Sequence, residues 1–366
     1  MRKNSLLSCG LLAIVGSSFV CSSRGIGAEN PEQGELLAAA QRSDVGTKAA
    51  PIRGWQKGKG WGWIWGPEDE IGALNAMTNE TRLAALSLVT EGKTYDLGAT
   101  YSRNSFKWHG HSPGEVIAFR TPEGVKRQGD HDFILPSANS SGQAWHSCAL
   151  FINDNVATQI DGLGHVTVGD DNHWYNGFNE ADWGGNFGIR KCAADGIPPI
   201  VNRCIMLDVA ALRKVKVLPA HYPISPDDVD SACAAQGVAI RPGDIVLFRT
   251  GTLGFWGKDG ADHAVIGEHD TAGITLDTAK YLVEEKGALA IGSDTSGLEV
   301  APAPPGSDTF IPVHKYLLIE QGVHILEFHN LEELAQDRVY EFCYMAATNK
   351  IAGTVAGFTM RPVALK

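Results

Sequence analysis

Between residues 204 and 328 the chain repeats an alternation that few architectures accommodate. Cys204-Ile-Met-Leu-Asp-Val209 and Asp244-Ile-Val-Leu-Phe-Arg249 are short and almost wholly apolar, as strands buried on both faces are. Between them Ser225-Pro-Asp-Asp228 places proline at the first helical position and opens a helix that ends near Gly237. Residues 273–286 have helical apolar spacing with Gly287 as the stop, and Ala288–Ile291 is the strand that follows. Asp308–Gly322 and Val323–Phe328 repeat the pair. Such alternation predicts an α/β domain rather than a sandwich, with no internal repeat and no domain boundary after residue 55.

A second constraint is chemical. In Asn155-Val-Ala-Thr-Gln-Ile-Asp161-Gly-Leu-Gly-His165 four polar side chains interrupt an apolar, glycine-punctuated run. Asn155, Gln159 and Asp161 fall at odd positions, so an extended chain presents them on one side. Gly162 and Gly164 then let the backbone turn and swing His165 toward the same pocket. A strand end with polar residues facing water is the competing reading.

Far downstream, His314 opens the helix after Pro312, and Glu327 lies on the returning strand beside Val323 and Ile325. A strand buried there carries a carboxylate inward, where it requires a partner. A salt bridge to Arg249 or Arg338 would supply one. So would a divalent cation shared with Asp161 and His314. Asp161, His165, His314 and Glu327 form an oxygen and nitrogen set without thiolate, the donor character that suits Zn or Mn. An open site of that kind lowers the pKa of bound water to about 7, and His165 is then the natural proton shuttle.

Composition narrows the partners. With 43% hydrophobic residues, 20% charged residues and a net charge of −11, the chain is globular and lacks the basic footprint of a nucleic-acid binder. Small molecules are the expected ligands. Arg2 and Lys3 followed by the apolar Leu6–Val20 read as a signal peptide over 1–28, which predicts a periplasmic or secreted protein. Residues 29–54 read as a flexible arm, and no later stretch is long and apolar enough to span a membrane. Five cysteines remain beyond the leader, an odd number with no CxxC pair, which argues against a thiolate metal site and a dense disulfide scaffold and leaves one disulfide possible.

Tryptophan is concentrated at Trp55, Trp61, Trp63 and Trp65, and again at Trp174 in the polar loop 169–177. These indoles either cover an edge of the core or wall a pocket; on the second reading Trp63 and Trp174 contact substrate, together with Asn155. His173 is a further candidate ligand in that loop. Thr78-Asn-Glu-Thr81 caps a helix over 82–89, and Thr94–Tyr101, Val116–Arg120 and Ala144–Ile152 read as strands. The connection Pro122–Ser141 is long enough for a lid.

The segment 155–165 resembles the signature of the bacterial cyclase family, His-x-Gly-Thr-His-x-Asp-x-Pro-x-His. Thr158, Asp161 and His165 are kept, while Asn155, Ala157, Gln159 and Leu163 depart, giving a Thr-Gln-x-Asp variant. Trp65-Gly-Pro-Glu-Asp-Glu-Ile-Gly-Ala-Leu-Asn75, Arg241–Thr250, Gly292-Ser-Asp-Thr295 and Val313–Leu334 extend the likeness over residues 55–366. The family includes metal-dependent kynurenine formamidases, with isatin hydrolases as relatives. The resemblance implies a swivelling β/β/α-like single domain with a mixed β core and surrounding helices, assembled as a dimer or higher oligomer. It implies Asp161, His314 and Glu327 as metal ligands and His165 as the acid/base.

Asn155 and Gln159 stand where the family holds a first metal with imidazoles, so Gln159 either contributes an amide oxygen or orients substrate. The expected activity is metal-assisted hydrolysis of a small cyclic amide, imide, lactone or N-acyl compound. An exported binding protein that kept the pocket after losing two imidazoles is the alternative.

Overall fold

The computed structural model describes residues 54–112, 114–130, 133 and 139–366. The leader expected over 1–28, all but the last residue of the arm expected over 29–54, and positions 131–132 and 134–138 of the connection 122–141 lie outside the described residues. Residues 52–366 form one compact unit.

The apolar runs become the centre of a nine-stranded mixed sheet. We number the strands β1 (Thr94–Asp96), β2 (Gly114–Arg120), β3 (Ser147–Ile152), β4 (Gln159–Asp161), β5 (Ile200–Asp208), β6 (Ile245–Arg249), β7 (Ala290–Ser293), β8 (His324–Glu327), β9 (Glu341–Ala346), β10 (Ala356–Gly357) and β11 (Val363–Leu365). The sheet order is β1-β11-β9-β5-β6-β7-β8-β4-β10. β5 to β8 run parallel, and the strands outside them pair antiparallel. Every residue of β6, β7 and β8 is buried, which is why these strands read as continuous rather than alternating.

The sheet curls. Only five residues lie between the end of β10 and the start of β11, six Cα–Cα steps with a reach of about 21 Å. Laid flat, those strands would stand seven spacings apart, roughly 34 Å. The two edges must therefore approach one another.

Helices connect the parallel strands as the alternation predicts. Pro226–Gln236 starts at a Ser225 capping box and stops at Gly237 in the left-handed region. Leu276–Lys280 and Pro312–His314 each run into a π-helical turn, over Tyr281–Glu285 and Lys315–Gln321. The indole nitrogens of Trp55 and Trp63 donate to the carbonyls of Val283 and Ile319 in those turns, at 2.6 and 2.7 Å. Trp61 donates to Ala288. The N-terminal tryptophans thus satisfy carbonyls near helix ends and cover the core edge. Gly72 permits this close docking, because a Cβ there would fall 2.1 Å from the Gly322 carbonyl oxygen.

Outside the sheet, β2 and β3 form a separate antiparallel hairpin. Pro122–Arg127, expected to lie in a lid-like loop, is a helix capped by Thr121. The described cysteines are all free. No helix among the described residues is long and apolar enough to cross a membrane.

Candidate functional site

The carboxyl ends of the parallel strands are where an open α/β sheet leaves a crevice, and the two polar clusters of the sequence meet there. β4 pairs antiparallel with β8, setting Gln159 opposite Glu327 and Asp161 opposite Ile325. Thr158 anchors the start of β4, donating to the Phe328 carbonyl at 2.6 Å and accepting from the Ala99 amide at 2.7 Å. β4 ends at Gly162, whose amide donates to the Val355 carbonyl; a Cβ there would sit 2.7 Å from that oxygen. His314 enters from the first turn of the helix between β7 and β8.

Asp161, His314 and Glu327 come together as a buried triad, each offering one donor atom within 4.8 Å of the other two. His314 Nε2 lies 3.7 Å from Asp161 Oδ2 and 3.5 Å from Glu327 Oε1. Ligand atoms held tetrahedrally at about 2.1 Å from an ion sit roughly 3.4 Å apart, so the spacing fits a small cation. Asp161 Oδ2 is buried without a hydrogen-bond partner, although its other oxygen accepts from Asn155 and Gln159 amides, both at 3.2 Å. A buried, unpartnered carboxylate oxygen facing an imidazole and a second carboxylate is the donor set a divalent ion requires.

Electrostatics agree with that reading. Burial, reinforced by the charge of Asp161, pushes Glu327 well above the usual carboxylate range, with His314 acting against it. Burial disfavours a charged His314, but hydrogen bonds to Glu299 and Glu327 outweigh it and push its pKa up to about 10. The crowded acids thus demand positive charge at their centre. Glu299 fixes the imidazole: its carboxylate accepts from His314 Nδ1 at 2.5 Å and from the backbone amides of Val313 and His314. With the proton on Nδ1, Nε2 turns its lone pair to the cluster.

The expected residues separate into two groups. Asn155, His165, His314 and Glu327 line one cleft of about 620 Å³, Asp161 and Gln159 are hydrogen-bonded to Asn155 and Glu327 of that lining, and His165 Nδ1 is buried without a partner. Gln159 is expected to contribute an amide oxygen or to orient substrate. Its amide nitrogen donates to Glu327 Oε2 at 2.6 Å and to Asp161 Oδ1, so it bridges the two acids as a donor while its oxygen stays unpartnered.

Trp63 and Trp174 are not among the residues lining the cleft. Trp63 is tied to Ile319 and packs edge-on to Tyr175, and Trp174 is 1% exposed inside the core. His173 pairs with Asp171 at 2.7 Å, outside the cleft. Nor does Glu327 pair with an arginine, since Arg249 binds Asp208 and Glu332.

Sequence reasoning missed Trp108, His111, Asp270, Ser296 and Glu299, all of which line the cleft. His109-Gly-His111 was the available signal, a pair of imidazoles in one short turn. Burial and the neighbouring His165 hold His111 below the ordinary histidine value. The other four sit in loops or at helix ends with no periodicity to mark them.

Sequence comparison settles the family. The family described as "Putative cyclase" matches residues 95–300, more than half of the chain. The chain belongs to the cyclase family. The solved structure of a novel cyclase is 29% identical to this chain and superposes with a TM-score of 0.70, covering 84% of this chain and 98% of its own. Isatin hydrolase A from Ralstonia solanacearum is 18% identical with a TM-score of 0.54, over 79% of this chain and 97% of that one. An isatin hydrolase bound to the product analogue thioisatinate gives 17% and 0.54, over 79% and 99%. These last two likenesses establish the mixed α/β fold. Among curated proteins none matches this chain in sequence.

Proposed function

We propose that the chain is a metal-dependent hydrolase that opens or cleaves a small cyclic amide, imide, lactone or N-acyl compound. The observation that carries this reading is the buried convergence of Asp161, His314 and Glu327 with one Asp161 oxygen left unpartnered. Hydrolysis is also the activity that the isatin hydrolases of the same fold are named for. A divalent ion held there, Zn or Mn by donor character, supplies Lewis-acid polarisation of a carbonyl and lowers the pKa of water to about 7.

The chain's own residues supply the remainder. Asn155 and Gln159 each hold Asp161 Oδ1, so that Oδ2 stays turned to the centre. Glu299 keeps His314 in the tautomer that presents Nε2. His165, on the cleft wall with a free ring nitrogen, accepts the proton of the attacking water as the C–O bond forms. It returns that proton to the leaving nitrogen or oxygen as the acyl bond breaks. The apolar wall of Val166, Phe310 and Ile311 suits a planar organic ligand. The basic and apolar leader at 1–28 supports export, and the bare apolar hairpin supports assembly into a homo-oligomer.

Two measurements test the proposal together: metal content of the purified protein, and hydrolysis of cyclic imides, lactones and N-formyl aromatics with and without Zn and Mn. Stoichiometric metal and turnover, both lost on chelation, are the expected result. A metal-free protein that binds ligand without turning it over would support an exported binding protein instead. A fully active His165→Ala enzyme would remove the proton relay.

A further inference from the structure

Asp270 is a buried carboxylate in the cleft wall that the hydrolytic scheme does not use. It caps the helix His263–His269 at its C-terminal end and meets Ser296, three residues beyond β7. Its Oδ1 accepts from the Ser296 amide at 2.7 Å. Its Oδ2 accepts from the Ser296 hydroxyl and shares the Trp108 indole N–H with that hydroxyl's oxygen, the indole nitrogen lying 3.1 Å from Oδ2. A carboxylate has about four acceptor positions, so three donors fix its plane and leave one position on Oδ1 open. Burial lifts its pKa to about 6 against those hydrogen bonds, which leaves it anionic and acceptor-only at neutral pH. Its charge is felt at Glu327, which places the two acids around the same cavity.

The cavity has another property. Among the described residues no lysine or arginine lines it, whereas Asp270, Glu299 and Glu327 do. An anionic ligand finds no counter-charge there apart from a bound cation. A neutral ligand that donates a hydrogen bond finds an oriented acceptor, with the Trp108 indole beside it as a flat apolar surface.

We propose that Asp270 is the specificity-determining acceptor of the cleft: it takes a hydrogen bond from an N–H of a neutral, planar carbonyl compound and so selects lactams and imides with a free N–H over lactones and N-alkylated analogues. The assignment deepens the hydrolase reading and rests on it for the carbonyl at the metal centre. Trp108 and Ser296 are positioning residues, acting through the carboxylate they orient.

Three near-isosteric probes test it: isoindolinone, N-methylisoindolinone and the lactone phthalide, with affinities measured by calorimetry on the purified, metal-supplemented protein. The expected order has the free lactam binding about tenfold more tightly than the lactone, the scale of one hydrogen bond to a charged group. Asp270→Asn, which keeps the shape and removes the charge, narrows the gap to about twofold. Ser296→Ala, which keeps the carboxylate and its bond to the backbone amide but removes the hydroxyl that orients it, reduces the preference to between those two values and serves as the second variant should Asp270→Asn fail to fold.

Equal or tighter lactone binding in the native protein overturns the assignment. So does a lactam preference that survives undiminished in Asp270→Asn or in Ser296→Ala. Hydrolysis is read separately: the predicted affinity order without turnover of any carbonyl probe supports the Asp270 assignment while counting against the hydrolase.

Discussion

Two antiparallel strand pairs in this protein have the same local geometry and opposite fates. β4 and β8 pair inside the curled sheet with every residue buried. β2 and β3 pair outside it and leave Ile117, Phe119, Leu150 and Phe151 exposed. The first pair has its register set by neighbours on both sides, so it can hold two acids and an imidazole within a few ångströms. The second has no strand beyond it, and its ladder slips between Ala118 and Arg120. Precision at the centre comes from confinement by the sheet rather than from strand pairing itself.

That contrast is testable from its strongest consequence to its weakest. Asp161→Ala, at the buried pair, is expected to lower turnover about a thousandfold or more, because bound metal contributes several kcal/mol to such reactions. Metal analysis should show the loss alongside an unchanged circular-dichroism spectrum, and a metal-replete, active variant would refute the triad. Ile325→Ala, opposite Asp161 in the ladder, is expected to destabilise the fold by about 2–5 kcal/mol in urea titrations. A cost below 1 kcal/mol would mean that β8 is not confined as described.

His324, at the start of β8, is fully buried with both ring nitrogens unpartnered, and burial lowers its pKa to about 3. Its folded pKa lies below the unfolded value of about 6.5, so the unfolded chain binds more protons between those limits. Its contribution is therefore lost as pH falls from about 6.5 toward 3. His324→Leu should gain on the wild type by up to about 1.4 kcal/mol per pH unit below 6.5, and a difference independent of pH would sink the assignment. The smallest effect belongs to the hairpin: Phe151→Ser should change monomer stability by no more than about 0.5 kcal/mol. A larger loss in the monomer would show that this face packs against its own chain.

The strands of the core were legible because burial on both faces erases polar positions and leaves unbroken apolar runs. Helix ends were legible where chemistry is local, as at Ser225, Gly237 and Gly322. The π turns left no trace in spacing, and the short strands β10 and β11 are recruited by partners distant in sequence. At the site, Asp161, His314 and Glu327 stood out as polar residues within apolar strands or at a helix start. Asp270 and Glu299 did not, because a loop carboxylate reads as solvated until the fold buries it. Trp63 and Trp174 misled for the complementary reason: indoles prefer concave apolar surroundings, and the core edge provides them as readily as a cleft does.

The curl of the sheet has a consequence for the order of assembly. Asp161 lies between β8 and β10, and its partner Ala356 follows it by 195 residues. During synthesis the segment around Asp161 must wait, undocked, until β8 and then β10 emerge to enclose it. A pulse-labelled ribosome-bound chain stalled before residue 356 should therefore lack the metal-binding centre even where its parallel strands have already packed.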